Sequence, residues 1–244
     1  MSDPAFILIE PQMGENIGAA ARGMWNFGLR HMRLTSPRDG WPNTKAVAMA
    51  SGAGSLLDEA MVVGTTAEAV GDLNYLYATT ARPREMTKTV FTPEGAVRDM
   101  ARRIAAGEKV GVLFGPERAG LANEDVVRAN AIITVPVNPQ FSSLNLAQCV
   151  LLMAYEWRRQ ADETPAEAYH TGKSDLAAAA DVDRLIEHLS AELDDAGFFF
   201  PATKRESMVT NLANLYRRTP MTDQDVRTMR GVIRALAEKR LLKS

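Results

Sequence analysis

Three segments of this 244-residue chain combine small residues, polar side chains and stiff turns in ways that could do chemistry. The first, Gly14-Glu15-Asn16-Ile17-Gly18-Ala19-Ala20-Ala21-Arg22, opens a helix. Gly18, Ala19 and Ala21 allow close backbone approach, and a helix start presents unpaired N–H groups to an anion. Arg22 offers a permanent cation and a planar fork for phosphate or ribose oxygens, although on an alanine-rich helix the type alone also fits a solvated arginine. The second, Leu113-Phe114-Gly115-Pro116-Glu117-Arg118-Ala119-Gly120-Leu121, places glycines around a Pro-Glu turn, so backbone donors and acceptors become accessible. Glu117 there could bind a hydroxyl, hold an arginine, or simply face solvent. The third, Val135 to Leu146, is stiffened by Pro136 and Pro139 and puts Ser142, Ser143 and Asn145 at the start of the next helix. Those side chains can cap that helix or bind a ligand.

Other chemistries lack their signatures. The chain has no P-loop pattern, no G-x-G-x-x-G after its first strand and no G-x-S-x-G elbow, which removes the main support for nucleotide hydrolysis, dinucleotide binding and serine hydrolysis. A single cysteine, Cys149, excludes an internal disulfide, and His31, His170 and His188 have no zinc-type spacing, so no metal is expected.

Elements must bring the three segments together. Apolar runs predict strands at Phe6 to Glu10, Met32 to Thr35, Leu73 to Ala78, Val110 to Phe114 and Ile132 to Val135. Helical spacing predicts helices at Ile17 to Phe27, Pro93 to Ala106 (capped by Thr92), Asn123 to Arg128 and Asn145 to Arg159. The alternation implies an α/β fold, a mainly parallel sheet flanked by helices, in which ligands bind beyond the carboxyl ends of the strands. The last of these helices spreads apolar residues around its cylinder through Leu151, Leu152 and Tyr155, so it is expected to be buried on most sides, in a core or a subunit interface.

The 46% hydrophobic and 24% charged composition is that of an ordinary globular protein. No run of about 18 apolar residues and no basic, apolar leader are visible, so a cytoplasmic protein without membrane contact is expected. Net charge is −2, but Lys and Arg minus Asp and Glu is 16 minus 16 over residues 1–160, 2 minus 10 over 161–200 and 10 minus 4 over 201–244. The organisation expected is a first domain over 1–160, a linker over 161–180 rich in Pro, Gly and charge, and a small helical extension over 181–244. In the extension, Val182, Leu185, Ile186, Leu189 and Leu193 keep helical spacing, as do Val226, Met229, Ile233 and Leu236 behind a Thr222/Asp225 capping box. Arg227, Arg230 and Arg234 line one stripe of the last helix, a solvated face or an RNA-binding one.

N-I-G-A-A-A-R, F-G-P-E-R-A-G-L and V-P-V-N-P-Q-F-S-S-L-N-L-A-Q resemble, in order and separation, the three motifs of the SpoU/TrmH branch of SPOUT methyltransferases. The likeness covers about residues 5 to 160. The tail, through Gly197-Phe198 and Met229-Arg230-Gly231-Val232-Ile233, is similar to the helical extension of bacterial members that methylate the 2′-hydroxyl of nucleotide 32 in the tRNA anticodon loop. The resemblance implies a SPOUT-type sheet tied in a trefoil knot, bent S-adenosylmethionine (the cofactor) held in the knotted loops, and a homodimer with its site near the subunit interface. It further implies cofactor contacts from Thr79, Thr80 and Ala81 after the third sheet strand, and from Gly115, Val135, Ser142, Ser143 and Leu144. Asn16, Arg22, Glu117, Ser142 and Asn145 match the family's polar active-site positions, and tRNA is the implied partner, with Arg22, Arg227, Arg230 and Arg234 as RNA contacts. A sulfonium methyl is already activated, so catalysis reduces to alignment with a ribose hydroxyl, worth about 7 to 11 kcal/mol, and removal of one proton. A guanidinium keeps its proton at neutral pH, so Arg22 suits orientation and electrostatics, leaving the proton to water, phosphate or Ser142. A ribosomal RNA 2′-O-methyltransferase and a non-catalytic RNA-binding protein of the same fold share these motifs.

Overall fold

The computed structural model describes residues 3–81 and 87–241. The chain divides into two compact units, Met1–Glu163 and Thr164–Ser244. The start of the chain at Met1 and Ser2 and the last three residues of the expected extension, 242–244, lie outside the described residues.

The first unit runs β1 (Ala5–Ile9), α1 (Gly14–Asn26), β2 (Met32–Thr35), α2 (Thr44–Ala50), α3 (Gly54–Asp58), β3 (Met61–Val63), α4 (Thr66–Val70), β4 (Tyr75–Thr79), β5 (Thr89–Phe91), α5 (Pro93–Ala105), β6 (Val110–Phe114), α6 (Asn123–Arg128), β7 (Ala131–Ile133) and α7 (Leu146–Arg159). Its seven strands form one sheet in the order β3-β2-β1-β6-β4-β7-β5, and every pairing is parallel. All five residues of β1 and of β6 are buried, which explains their unbroken apolar sequences: both faces of a parallel sheet are covered. Alternate side chains serve two cores. Phe6 and Leu8 join Phe114, Tyr77, Ile17, Met24, Val150 and Met153 on one face. Ile7 and Ile9 join Ala78, Leu113, Leu121, Val126 and Ile132 on the other.

The sheet ends in two strands that the sequence did not announce. β3 and β5 have three residues each, with Met61, Val62 and Val90 exposed at the edges, so neither offers an apolar run long enough to read. The strand bearing Thr79 is therefore the fourth in chain order, where the third was expected.

The small residues of α1 serve packing. A Cβ on Gly18 would lie 2.2 Å from the Ala46 carbonyl oxygen, and one on Gly14 would lie 2.1 Å from Asn43 Oδ1, the atom that caps α2 by accepting from Lys45 N and Ala46 N. The close approach read from Gly18 is thus an approach of α2. Below the sheet, the Tyr77 hydroxyl donates to buried Asp99 Oδ2 at 2.6 Å, Arg103 Nε donates to the same carboxylate at 2.8 Å, and Arg102 pairs with it as well. Burial opposes ionisation of Asp99, but these three donors outweigh it and hold its pKa below the ordinary aspartate value.

The second unit contains α8 (Ala179–Asp195), a 3₁₀ turn at Ala202–Lys204, α9 (Arg205–Arg217) and α10 (Asp223–Leu241). Its core is thin: Leu185, Val226 and Ile233 are buried, with Val182, Leu189, Tyr216 and Met229 half-buried around them. The capping box is present, with Asp225 N donating to Thr222 Oγ1 at 3.1 Å and Thr222 N donating to Asp225 Oδ2 at 2.8 Å. Part of the segment expected to be a linker is tied to this unit, through Tyr169 Oη to Pro220 O, Ala177 N to Met221 O and Asp223 N to Asp175 O. Among the described residues no helix is long and apolar enough to cross a membrane.

Candidate functional site

The segments that follow β4, β6 and β7 meet beyond the carboxyl ends of those strands and enclose a cavity of about 280 Å³. Each of the eight residues expected to hold a cofactor lines it: Thr79, Thr80 and Ala81 from the end of β4, Gly115 after β6, and Val135, Ser142, Ser143 and Leu144 after β7. Phe114, Leu121, Ile133, Val137 and Leu146 add apolar wall. At Gly115 the loop folds back on itself so tightly that a Cβ would lie 2.2 Å from Leu121 N, which requires glycine there. The Ser142 and Ser143 hydroxyls have no hydrogen-bond partner among the described residues, and with Thr79, Thr80, Glu117 and Arg118 they add polar groups to the apolar wall. This mixture suits a flat heteroaromatic ring with a polar sugar and tail.

Cys149 of α7 also lines the cavity and was not anticipated there. Burial pushes its thiol up to about 11, against a smaller opposing effect of a hydrogen bond with Thr79, so it is a neutral wall at physiological pH. Thr79 in turn donates from Oγ1 to Leu113 O at 2.8 Å, tying β4 to β6 below the cavity.

The polar residues expected to be catalytic divide in a way that their types did not foretell. Glu117 lines the cavity, but its carboxylate is spent on the first segment: Oε2 accepts from Gln12 N at 2.8 Å, and Oε1 accepts from Met13 N at 3.1 Å and from Asn16 Nδ2 at 2.8 Å. Asn16, almost fully buried, accepts at Oδ1 from Asn145 Nδ2 at 3.0 Å. Asn145 Oδ1 caps α7 by accepting from Ala147 N at 2.9 Å and Gln148 N at 3.3 Å. A single relay, Glu117 to Asn16 to Asn145, therefore joins loops more than 100 residues apart in sequence and ends on a helix cap. Glu117 holds backbone N–H groups and an amide, where a hydroxyl, an arginine or solvent was expected; Asn16 and Asn145 lie outside the cavity's lining.

Arg22 is separate from all of this. It lies on the exposed stripe of α1 with Trp25 and Asn26, does not line the cavity, and has no hydrogen-bond or ion-pair partner among the described residues. Beside it lies α7, for which burial in a core or a subunit interface was expected. Its inner face, Leu146, Val150, Met153 and Ala154, is buried, whereas Leu151, Leu152 and Tyr155 are 42%, 38% and 48% exposed within the single chain. α1 packs along the same helix, with Phe27 edge-on to Tyr155 and Gly23 leaving room for Leu151. In the second unit, Arg230 and Arg234 are exposed without partners among the described residues, while Arg227 pairs with Asp223 at 2.6 Å.

Comparison with known proteins agrees with this architecture. Residues 3–155 match the SpoU rRNA Methylase family, and residues 180–243 match the C-terminal domain of tRNA methyltransferase TrmJ. The chain is 33% identical over 235 residues to tRNA (cytidine/uridine/adenosine-2′-O-)-methyltransferase TrmJ of Pseudomonas aeruginosa (strain UCBPP-PA14), covering 93% of this chain and 91% of that one. Among solved structures, TrmJ from Z. mobilis ZM4 superimposes with a TM-score of 0.84 at 47% identity, covering 97% of this chain and all of the other. The SpoU methyltransferase AviRb from Streptomyces viridochromogenes, in complex with AdoMet, shares the fold at a TM-score of 0.51 and 21% identity over 66% of this chain and 59% of that one.

Proposed function

Because the chain belongs to the SpoU rRNA methylase family and carries a TrmJ-type C-terminal domain, we propose that it transfers a methyl group from S-adenosylmethionine to a tRNA ribose 2′-hydroxyl. The nucleotide assigned is position 32 of the anticodon loop, cytidine or uridine. The observation that carries the reading is the cavity built by three sequence-distant loops and locked by the Glu117–Asn16–Asn145 relay.

The residues of the cavity fit the cofactor: Leu121, Val135 and Leu144 would offer apolar contact to an adenine ring, and Ser142 and Ser143 would meet polar groups. When bound, S-adenosylmethionine supplies a methyl group already activated by its sulfonium charge. The protein's share is then alignment and exclusion of water. Glu117, Asn16 and Asn145 fix the relative positions of the loops, which is the kind of preorganisation that proximity catalysis needs. Ser142, at the cavity and uncommitted, is placed to accept or relay the hydroxyl proton, together with water or a substrate phosphate.

We further assign this chain to a homodimer in which Arg22 acts at the subunit seam. Trp25 on α1, the helix that carries Arg22, and Leu151, Leu152 and Tyr155 on α7, packed against it, are exposed apolar residues, and a guanidinium without a partner among the described residues is free to orient an RNA phosphate or ribose at the neighbouring site. The basic stripe Arg227, Arg230 and Arg234 contributes tRNA affinity. The trefoil knot is extended to this chain with the family's fold, and a cytoplasmic location follows from a tRNA substrate.

Nucleoside mass spectrometry after incubation of the protein with S-adenosylmethionine and bulk tRNA or ribosomal RNA tests the proposal. A 2′-O-methylated cytidine or uridine from tRNA is expected. Methylation of ribosomal RNA alone would redirect the substrate, and no transfer to either would reduce the protein to an RNA binder.

A further inference from the structure

Helix α9 and the turn before it carry an open groove that the catalytic reading leaves unused. It has a volume of about 450 Å³, and Phe198, Asn211, Asn214, Leu215 and Arg218 are among its lining residues. The helix has no buried residue, and Phe198 is 50% exposed, Leu215 49% and Phe200, two residues beyond Phe198, 84%. The polar groups here are uncommitted, unlike those around the cavity. The side chains of Asn211, Asn214 and Arg218 have no hydrogen-bond or ion-pair partner among the described residues, while neighbouring Arg205 and Arg217 pair with Asp194 and Asp183.

We propose that this groove is a stacking site for an unpaired RNA nucleobase, with Phe198 of its wall as a ring platform, exposed Phe200, two residues on and outside the lining, as a second platform for a neighbouring base, Asn211 and Asn214 reading base edges, and Arg218 meeting the adjoining phosphate. The proposal rests on the assignment of an RNA substrate and goes beyond it by naming a contact that the basic stripe of α10 does not provide. Three features favour RNA over another protein surface. Residues 201–222 hold four cations, Lys204, Arg205, Arg217 and Arg218, against Glu206, and although Asp194 and Asp183 pair with Arg205 and Arg217, Arg218 in the groove wall has no partner among the described residues. Side-chain amides supply both donors and acceptors, the pattern needed for Watson–Crick edges presented by single-stranded loops. Exposed phenyl rings bind bases through their faces and tolerate any sequence.

The test uses the full chain and a fluorescein-labelled single-stranded RNA heptamer, titrated by anisotropy at several salt concentrations. Replacing both rings, Phe198→Leu with Phe200→Leu, keeps apolar bulk and removes the stacking faces. Both rings are at least half exposed, so the fold is retained, and far-UV circular dichroism checks this. The double variant is expected to bind the heptamer about tenfold more weakly with an unchanged salt slope. Arg218→Gln is expected to lower the slope by about one phosphate contact. Unchanged heptamer affinity in the double variant overturns the proposal. So does a shift from dimer to monomer in sedimentation with heptamer affinity retained, which would assign the groove to contacts between copies. Wild-type methyl transfer to tRNA, measured in parallel, judges the catalytic reading separately: its absence would leave the heptamer titration to decide the groove alone.

Discussion

The two units treat their polar side chains in opposite ways. Around the cavity of the first unit, Glu117, Asn16 and Asn145 satisfy one another and the backbone, so a carboxylate and two amides are consumed in holding loops together. In the second unit, Asn211, Asn214, Arg218, Arg230 and Arg234 have no partner among the described residues, and the buried cluster that holds the helices is small, Leu185, Val226 and Ile233. The first arrangement gives fixed geometry, which alignment of a methyl donor needs. The second gives accessible charge and amide edges, which suit a partner that arrives from solution. Arg22 belongs by sequence to the first unit but by its freedom to the second group, and that is the reason to place it at a seam where substrate enters.

Four substitutions can break or sharpen this contrast. The largest effect is expected at Arg22, where Arg22→Ala lowers the initial rate of methyl transfer by about 10² to 10³-fold while calorimetry finds cofactor affinity nearly unchanged. Lost cofactor affinity would place Arg22 among the loop-holding groups instead.

Next comes the Tyr77–Asp99–Arg103 cluster, which braces β4 against α5. Asp99→Asn should cost about 2 to 3 kcal/mol of unfolding free energy at neutral pH, since it weakens a buried, charge-assisted network. The Asp99 carboxyl is depressed in the folded state, so its contribution is complete above the ordinary aspartate range of about 4 and disappears as pH falls below it. Urea titrations of the wild type and the variant should therefore draw together as pH falls from about 5 and meet only below the lowered pKa of Asp99 in the folded protein. A constant gap would mean that Asp99 acts through packing alone.

In the second unit, replacing Arg227, Arg230 and Arg234 together by Gln should weaken tRNA binding about tenfold at low salt and flatten the salt dependence by two to three phosphate contacts. Arg227 contributes least to the change, because Asp223 already pairs with it. An unchanged salt slope would return the stripe to a solvated face.

The smallest effect is at the relay's helix end. Asn145→Ala removes the α7 cap and should lower stability by about 1 kcal/mol, read as a shift in denaturation midpoint. If Asn145→Asp restores the midpoint and activity does not recover, the amide link to Asn16 matters beyond the cap.

The sequence made some of this legible for clear reasons. β6 at Val110–Phe114 and α6 at Asn123–Arg128 have the boundaries that their patterns predict, because a fully buried strand is an unbroken apolar run and a short helix framed by loop residues is well marked. β3 and β5 escaped, being three residues long and exposed on one side. α9 escaped because Met208, Leu212 and Leu215 keep helical spacing without burying any of their number. The residues around the cavity were named through family likeness, whereas the relay was not foreseen. A carboxylate 101 positions from one amide, and that amide 129 positions from another, leave no local trace in one sequence. Only Asn145 gave a local signal, as a cap. The outer side of α7 shows how far periodicity reaches: it reports how much of a helix is apolar, but not whether its own chain or another copy covers it.

The relay's hold on the cavity is most directly probed by calorimetric titration of S-adenosylmethionine into the wild-type protein and into Glu117→Ala. That substitution leaves Gln12 N, Met13 N and Asn16 Nδ2 without their acceptor and leaves the rest of the cavity wall in place. One cofactor bound per chain in the wild type, and affinity at least tenfold weaker in the variant, is the expected result. Equal affinity in the two proteins would contradict it, because the loops would then keep their geometry without the carboxylate that joins them.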